Sequence, residues 1–283
     1  MIRVPEEFRQ RHPFPYPPDN KIIFEEWLYN MLAISPRKAT PRVYLPIFWT
    51  AYLVRADFGK HKGKLGKLQT YVNSLSPNIK YWTVVQYDDG PVVDMSHLDC
   101  KFFAMSGPKI DYPLPLIGRP HTVEVQQEHR PYLFNFIGRV THPLRKELME
   151  TLSNQSDGYI STKDHNIQQY CDILSKSVFT LCPRGYGQTS FRISEALQYG
   201  SIPVYISDDF IIPYNHNFCD YGLTFSPGDL QEVLNTLRDF PRDTIKNIQS
   251  RIPSIYYSLF TYEGCSVRIL KELHDEGLDN STI

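Results

Sequence analysis

The chain has 283 residues, 41% hydrophobic and 22% charged, with a formal net charge of -1; that length allows two domains that each bury a core. The near-neutral balance gives no electrostatic case for nucleic acid or an anionic membrane, so any cationic site must be local. Five cysteines, at positions 100, 171, 182, 219 and 265, are odd in number and form no Cys-x-x-Cys pair, which argues against both a disulfide framework and zinc.

Residues 1 to 20 are rich in Pro, Arg and aromatics and read as an irregular arm lying on the body. Their start, Met1-Ile2-Arg3-Val4-Pro5, has no apolar signal core. Apolar residues at Phe24, Trp27, Leu28, Met31 and Leu32 predict a helix over 24–32. Val43 to Tyr52 reads as a strand, and the apolar run to Val54 is too short and too polar to span a bilayer. Lys60 to Leu75 reads as a basic amphipathic helix whose lysines form a solvated face. Strands at Trp82 to Gln86, Lys101 to Met105 and Tyr112 to Leu116 complete a small Rossmann-like lobe. Gly118 to Pro131 is polar and bounded by Pro, a linker that holds His121, Glu124, Glu128 and His129 without metal-ligand spacing. Strands at 132–137, 158–161, 178–181, 202–206 and 223–225 then alternate with helices near 143–153, 166–176, 189–199 and 228–238. That order predicts a parallel, doubly wound sheet with its ligand beyond the strand carboxyl ends. A final helical region is expected over Ile255 to Gly277.

The most informative stretch is 177–204, which reads strand, loop, helix, strand. Gly185 and Gly187 allow close backbone approach, Ser190 lies near the helix start, and Arg184 and Arg192 add positive charge where helix amides already favour anions. The loop is a candidate diphosphate cradle. Glu195, about one turn beyond Ser190, is placed for ribose hydroxyls. A Gly-x-Gly at such a turn often does no more than close it. The absence of a third glycine, and the motif's late position, argue against a nucleotide-dependent oxidoreductase.

Cys182-Pro183-Arg184-Gly185, then Ser190-Phe191-Arg192-Ile193-Ser194-Glu195-Ala196-Leu197, then Gly200-Ser201-Ile202-Pro203-Val204, together closely resemble the donor-binding segment of the exostosin family, glycosyltransferase family 47. The run 39–48 resembles the family's first strand, 80–90 its next strand and loop, and 130–139 with Arg145 the opening of its second domain, so the resemblance covers roughly residues 21 to 270. Many plant members carry Pro-His-Asp in the 80–90 loop. Here Gln86 and Tyr87 hold the first two of those positions and Asp88 alone matches.

The resemblance implies a GT-B fold, two Rossmann-like domains with parallel sheets facing across a cleft. The expected division is 1–125 as the acceptor-side domain, 126–255 as the nucleotide-sugar domain, and 256–283 as a helical segment returning to the first. It also implies inverting transfer from a nucleotide donor, taken as a UDP-sugar with a lean toward UDP-xylose, to an oligosaccharide or glycoconjugate acceptor. Family donors include xylose, galactose, arabinose and glucuronic acid. Animal and plant members usually carry a membrane anchor and work in the Golgi. This chain therefore reads as a bacterial or viral cytoplasmic enzyme, or as a Golgi-lumen one whose anchor was trimmed away.

Inverting transfer needs a base for the acceptor hydroxyl and positive charge for the departing diphosphate. The expected donor-binding set is Arg139, Arg145, Arg184, Gly185, Tyr186, Gly187, Ser190, Phe191, Arg192 and Glu195, with Arg192 also acting in catalysis. Taken singly, Arg139 or Arg145 reads better as a surface ion pair. No two aspartates are spaced as Asp-x-Asp, and no metal or other cofactor is expected. Asp88 or Asp89, at a strand end, is the leading base, with His61 and His97 behind them. Asp208 and Asp209 read equally as donor-sugar contacts or as a polar turn. A rival reading, kept open by the altered Pro-His-Asp, is a non-catalytic nucleotide-sugar or glycan-binding partner of an active transferase.

Overall fold

The computed structural model describes residues 1–12, 22–34, 40–125, 129–228 and 230–279. Its described residues fall into two compact units, one from Met1–Leu114, Pro213–Asn215 and Tyr262–Ile283, the other from Pro115–Ile212 and His216–Thr261. Each is built on a parallel sheet, the α/β class expected from the alternation of strands and helices.

The first unit opens with a 3-10 turn at Glu6–Phe8 and helix α1 (Phe24–Ile34). Its sheet is β1 (Val43–Tyr44), β2 (Tyr81–Val85), β3 (Cys100–Ala104) and β4 (Tyr112–Pro113), paired in sequence order. All five residues of β2 are buried, as a parallel strand covered on both faces should be. Val4 and Phe8 of the N-terminal arm sit in that core with Leu45, Trp49, Leu53, Leu68, Val72, Tyr81 and Phe102. The rest of the arm, 13–20, lies outside the described residues.

The strand expected over 43–52 is corrected. β1 stops at Tyr44, residues 45–48 take neither form, and helix α2 (Trp49–Arg55) begins within the end of the run. Pro46 has no N–H for a ladder. Glu25 reaches from α1 to accept from Thr50 N at 3.0 Å, which gives the first turn of α2 the acceptor it lacks locally. The strand expected over 112–116 shrinks to Tyr112–Pro113, with Pro115 just beyond its end. Helix α3 (Lys62–Asn73) begins where His61 Nδ1 accepts from Lys64 N at 3.3 Å, so His61 is a helix cap.

The second unit places β5 (Tyr132–Ile137), β6 (Gly158–Ser161), β7 (Ser177–Pro183), β8 (Ile202–Ile206) and β9 (Leu223–Phe225) in the order β6-β5-β7-β8-β9, all parallel. Helices α4 (Pro143–Leu152), α5 (Ile167–Ser175), α6 (Arg192–Gln198) and α7 (Leu230–Asp239) join consecutive strands or follow the last. The chain reverses direction across the sheet between β5 and β7, and such a switch point leaves a crevice at the strand carboxyl ends.

The C-terminal helical region differs from expectation. Helix α8 (Arg242–Leu259) starts well before Ile255 and carries Pro253 inside it. Burial of Ile248, Ile252 and Leu259 holds it together across the residue that marks a break in sequence. Helix α9 (Tyr262–Asp279) belongs to the first unit. Arg42 pairs there with Glu276 at 2.7 Å and Lys101 with Glu272 at 2.7 Å.

Burial pushes the Glu25 carboxyl up to about 7, although the N–H of Gln86 and the N–H and hydroxyl of Thr50 pull the other way. The folded state therefore holds a proton between pH 4.5 and about 7 that the unfolded chain releases. Stability from this group is complete below the unfolded value and is lost as pH rises through the folded one. Denaturant unfolding from pH 4.5 to 7.5 should show wild type losing roughly 3 kcal/mol relative to Glu25→Gln across that window. Parallel pH profiles for the two proteins would assign the proton to another group.

Candidate functional site

The loops that follow β5 and β7 flank the switch point, and two arginines tie them together. Arg192, the first residue of α6, donates Nε to Ile137 O at 2.8 Å, across to the end of β5. Arg145 of α4 donates to Arg139 O, Arg184 O and Pro183 O at 3.1, 3.0 and 3.2 Å. Both guanidinium carbons lie over the ring of Phe136, at 5.0 Å for Arg192 and 6.0 Å for Arg145, an arrangement in which the ring face favours the cations. Two positive charges are thereby fixed at one strand end. The Cys182 thiol, buried at the end of β7, is pushed up chiefly by its burial, and the charges of Arg192, Glu195 and Arg145 all act on it.

Glycine is required here for a different reason from the one sequence offers. Neither Gly185 nor Gly187 has a positive φ. A Cβ on Gly185 would stand 2.9 Å from Arg145 Nη2, so the missing side chain admits the arginine that holds the loop. Gly138 plays the same part for Arg192, with a Cβ position only 1.8 Å from Nη2.

Arg184 begins the β7–α6 loop. Its Nη1 pairs with Asp208 Oδ1, and this charge-assisted bond holds the Asp208 carboxyl below the usual carboxylate range. Its Nη2 donates to Tyr186 O at 3.3 Å, and its Nε is buried with no hydrogen-bond partner among the described residues. A buried donor left without a partner is costly unless a ligand supplies one. Asp208 is thus a partner of Arg184, and Asp209 accepts from Gln188 Nε2 at 2.8 Å. Both brace the loop from the end of β8. Further along, Tyr205 donates its hydroxyl to Gln188 O at 2.8 Å, and buried Ser190 accepts from Arg192 N at 3.4 Å. Tyr186 is 70% exposed and Phe191 half-buried. Arg139, 82% exposed, stands 3.8 Å from Asp164 in a surface ion pair, apart from the Phe136 cluster.

Glu195 is buried, with one carboxylate oxygen 3.2 Å from His121 Nε2 and the other accepting from Tyr170 OH at 2.6 Å. Neither partner was found from sequence. His121 lies in the stretch read as a linker, and that reading needs correction at this point: its side chain is 3% exposed. A lone polar residue in a Pro-bounded segment carries no sign of burial. Glu128, named in the same stretch, lies outside the described residues.

In the first unit, Gly90 N donates to Tyr87 O at 3.0 Å and closes a turn with Asp88 and Asp89 as its central residues. Gly90 has φ +70, a conformation that suits glycine. Gly107, φ +106, packs against this turn so closely that a Cβ would lie 2.9 Å from Gly90 N. Asp88 is half-buried and Asp89 exposed. Glu25 Oε1 accepts from Gln86 N at 2.8 Å and fixes the backbone just before the turn. His97 is exposed on the loop between β2 and β3.

A parallel sheet with fixed cations at its switch point places the chain in the α/β class. The family model described as the Exostosin GT47 domain matches residues 91–240, more than half of the chain, and the chain belongs to that family. It is similar to the human ribitol-5-phosphate xylosyltransferase 1, 36% identical over 89 residues, which are 27% of this chain and 20% of that protein. It is also similar to the probable glucuronosyltransferase GUT1 of Oryza sativa subsp. japonica, 39% identical over 110 residues, 38% of this chain and 26% of that protein. The probable beta-1,4-xylosyltransferase IRX10 of Arabidopsis thaliana is 32% identical over 103 residues, 36% of this chain and 24% of that protein. The matched segments span about a quarter of the length of these relatives.

Gly138→Ala should expel the Arg192 guanidinium from Phe136 and break its bond to Ile137 O, destabilising the second unit by about 1–3 kcal/mol. Thermal unfolding and a crystal structure of the variant check this. An unmoved Arg192 with an unchanged Tm would contradict it.

Proposed function

We propose that this chain is an inverting glycosyltransferase that moves a sugar from a UDP-sugar to a hydroxyl of a glycan acceptor. The observation that carries the reading is the β7–α6 loop at the switch point, where Arg192 is fixed beside the strand ends and Arg184 keeps a buried Nε donor without a partner among the described residues. Family membership supports it, as do relatives named as xylosyl- and glucuronosyltransferases.

In this reading the diphosphate lies against Arg184, Gly185, Tyr186, Gly187, Ser190, Phe191 and Arg192, and Glu195 takes the ribose hydroxyls. Arg145 contributes charge and holds the loop. As the glycosidic bond of the donor breaks, negative charge grows on the leaving diphosphate, and cations already held in place stabilise it without reorganising. No divalent ion is needed for that step. Asp88 of the first unit is the general base for the acceptor hydroxyl, with Asp89 its neighbour in the turn. A carboxylate is a weak base near neutral pH, so it must take the proton late, with the hydroxyl held in line. UDP-xylose is the first donor to try, since two of the relatives are named xylosyltransferases.

UDP release from UDP-xylose, UDP-galactose, UDP-arabinose and UDP-glucuronate, each with and without a glycan panel, tests the reading. One donor should turn over with an acceptor, and the rate should persist in EDTA. Asp88→Asn should lower that rate by about a hundredfold or more with UDP affinity nearly unchanged. UDP binding without turnover of any donor would point to a binding protein. Near-normal turnover in Asp88→Asn, with loss in Asp89→Asn, would move the base by one residue.

A further inference from the structure

We infer that His121 and Tyr170 are positioning residues that orient the Glu195 carboxylate for the ribose diol, making the segment around His121 a determinant of specificity for ribonucleotides. The inference rests on the UDP site proposed above and concerns residues outside its loop.

The segment belongs to no helix or strand, yet α6 grips it like a neighbouring strand. His121 N donates to Gln198 Oε1 at 3.0 Å and Gln198 Nε2 donates to His121 O at 2.6 Å, so one side-chain amide pairs with both backbone groups of a single residue. Tyr199 OH adds a bond to Val123 O at 3.2 Å. The imidazole is stacked on Tyr199, 22° between planes, and meets Tyr170 edge-on at 78°. Its backbone and ring are therefore both fixed, and Nε2 is aimed at Glu195.

A carboxylate can only accept, so the imidazole nitrogen facing it carries a hydrogen, and the Tyr170 hydroxyl donates from α5 to the other oxygen. A long helical side chain with three rotatable torsions is thus held at both oxygens by two different elements. Burial of a carboxylate is costly without such donors. A carboxylate held in one orientation suits a vicinal diol, whose hydroxyls can donate to it. The ligand class is a ribonucleoside diphosphate, with its deoxyribose counterpart disfavoured. This arrangement joins the segment 121–123, α5 and α6 into one support for Glu195. Loss of either donor would leave the carboxylate free to turn.

Calorimetry with UDP and 2′-deoxy-UDP on wild type, His121→Ala, His121→Gln and Tyr170→Phe reads this directly. Wild type should prefer UDP by about tenfold or more, on the scale of a charge-assisted hydrogen bond. His121→Ala and Tyr170→Phe should each cut that preference severalfold by weakening UDP alone. His121→Gln, which keeps an N–H donor, should recover most of it. If the variants weaken both nucleotides equally, or leave the preference intact, the two residues serve stability only and the inference is overturned. If wild type binds UDP with no preference, the inference fails while the donor site stands. If wild type binds neither nucleotide, the donor site falls and takes the inference with it.

Discussion

The second unit depends on what happens where the ladders of β5 and β7 end. Four backbone carbonyls there, at Ile137, Arg139, Pro183 and Arg184, accept from the side chains of Arg192 and Arg145. Ends of parallel strands ordinarily open into loops whose polar groups face water. Here arginine closes them, and because guanidinium keeps its charge, the device that seals the loops also makes the crevice cationic. Glycines 138 and 185 are the steric condition for it. Phe136 supplies the floor on which both cations rest. Structure and electrostatics of the candidate site therefore have one cause.

The same economy holds around Glu195 and Glu25. Each is an acid on a helix, buried, and held by donors from other elements: His121 and Tyr170 for Glu195, Thr50 and Gln86 for Glu25. Both carboxylates receive donors at both oxygens, and at Glu25 burial outweighs those donors and raises the pKa. In the proposed site Glu195 reads the ribose, while Glu25 fixes the chain that leads into the Asp88–Asp89 turn.

The strands of the second unit were legible because short apolar runs bounded by Gly, Pro and polar residues leave few alternatives, and β5, β6, β8 and β9 lie where the pattern puts them. The run from Val43 to Val54 was not, since a buried strand and a buried helix share one apolar signature and the first-turn N–H of α2 finds its acceptor on a residue far back in the chain, Glu25. The start of α8, ahead of the expected Ile255, was missed for a related reason: burial of one helix face carries the helix across Pro253. At the site, residue types were legible and side-chain destinations were not. Arg145, read for its charge, also donates to backbone carbonyls, Asp208, read equally as a donor-sugar contact or a turn residue, pairs with Arg184, and His121, read as part of a linker, is packed against α6. Each of these outcomes is set by contacts between distant segments, which spacing along the chain does not encode.

The most direct test of the account is a crystal structure with bound UDP. The diphosphate should lie at the carboxyl ends of β5 and β7, with a phosphate oxygen accepting from Arg184 Nε and the charge facing Arg192, and the ribose hydroxyls donating to Glu195. UDP bound only in the first unit, or bound in the second unit away from the β7–α6 loop, would contradict it.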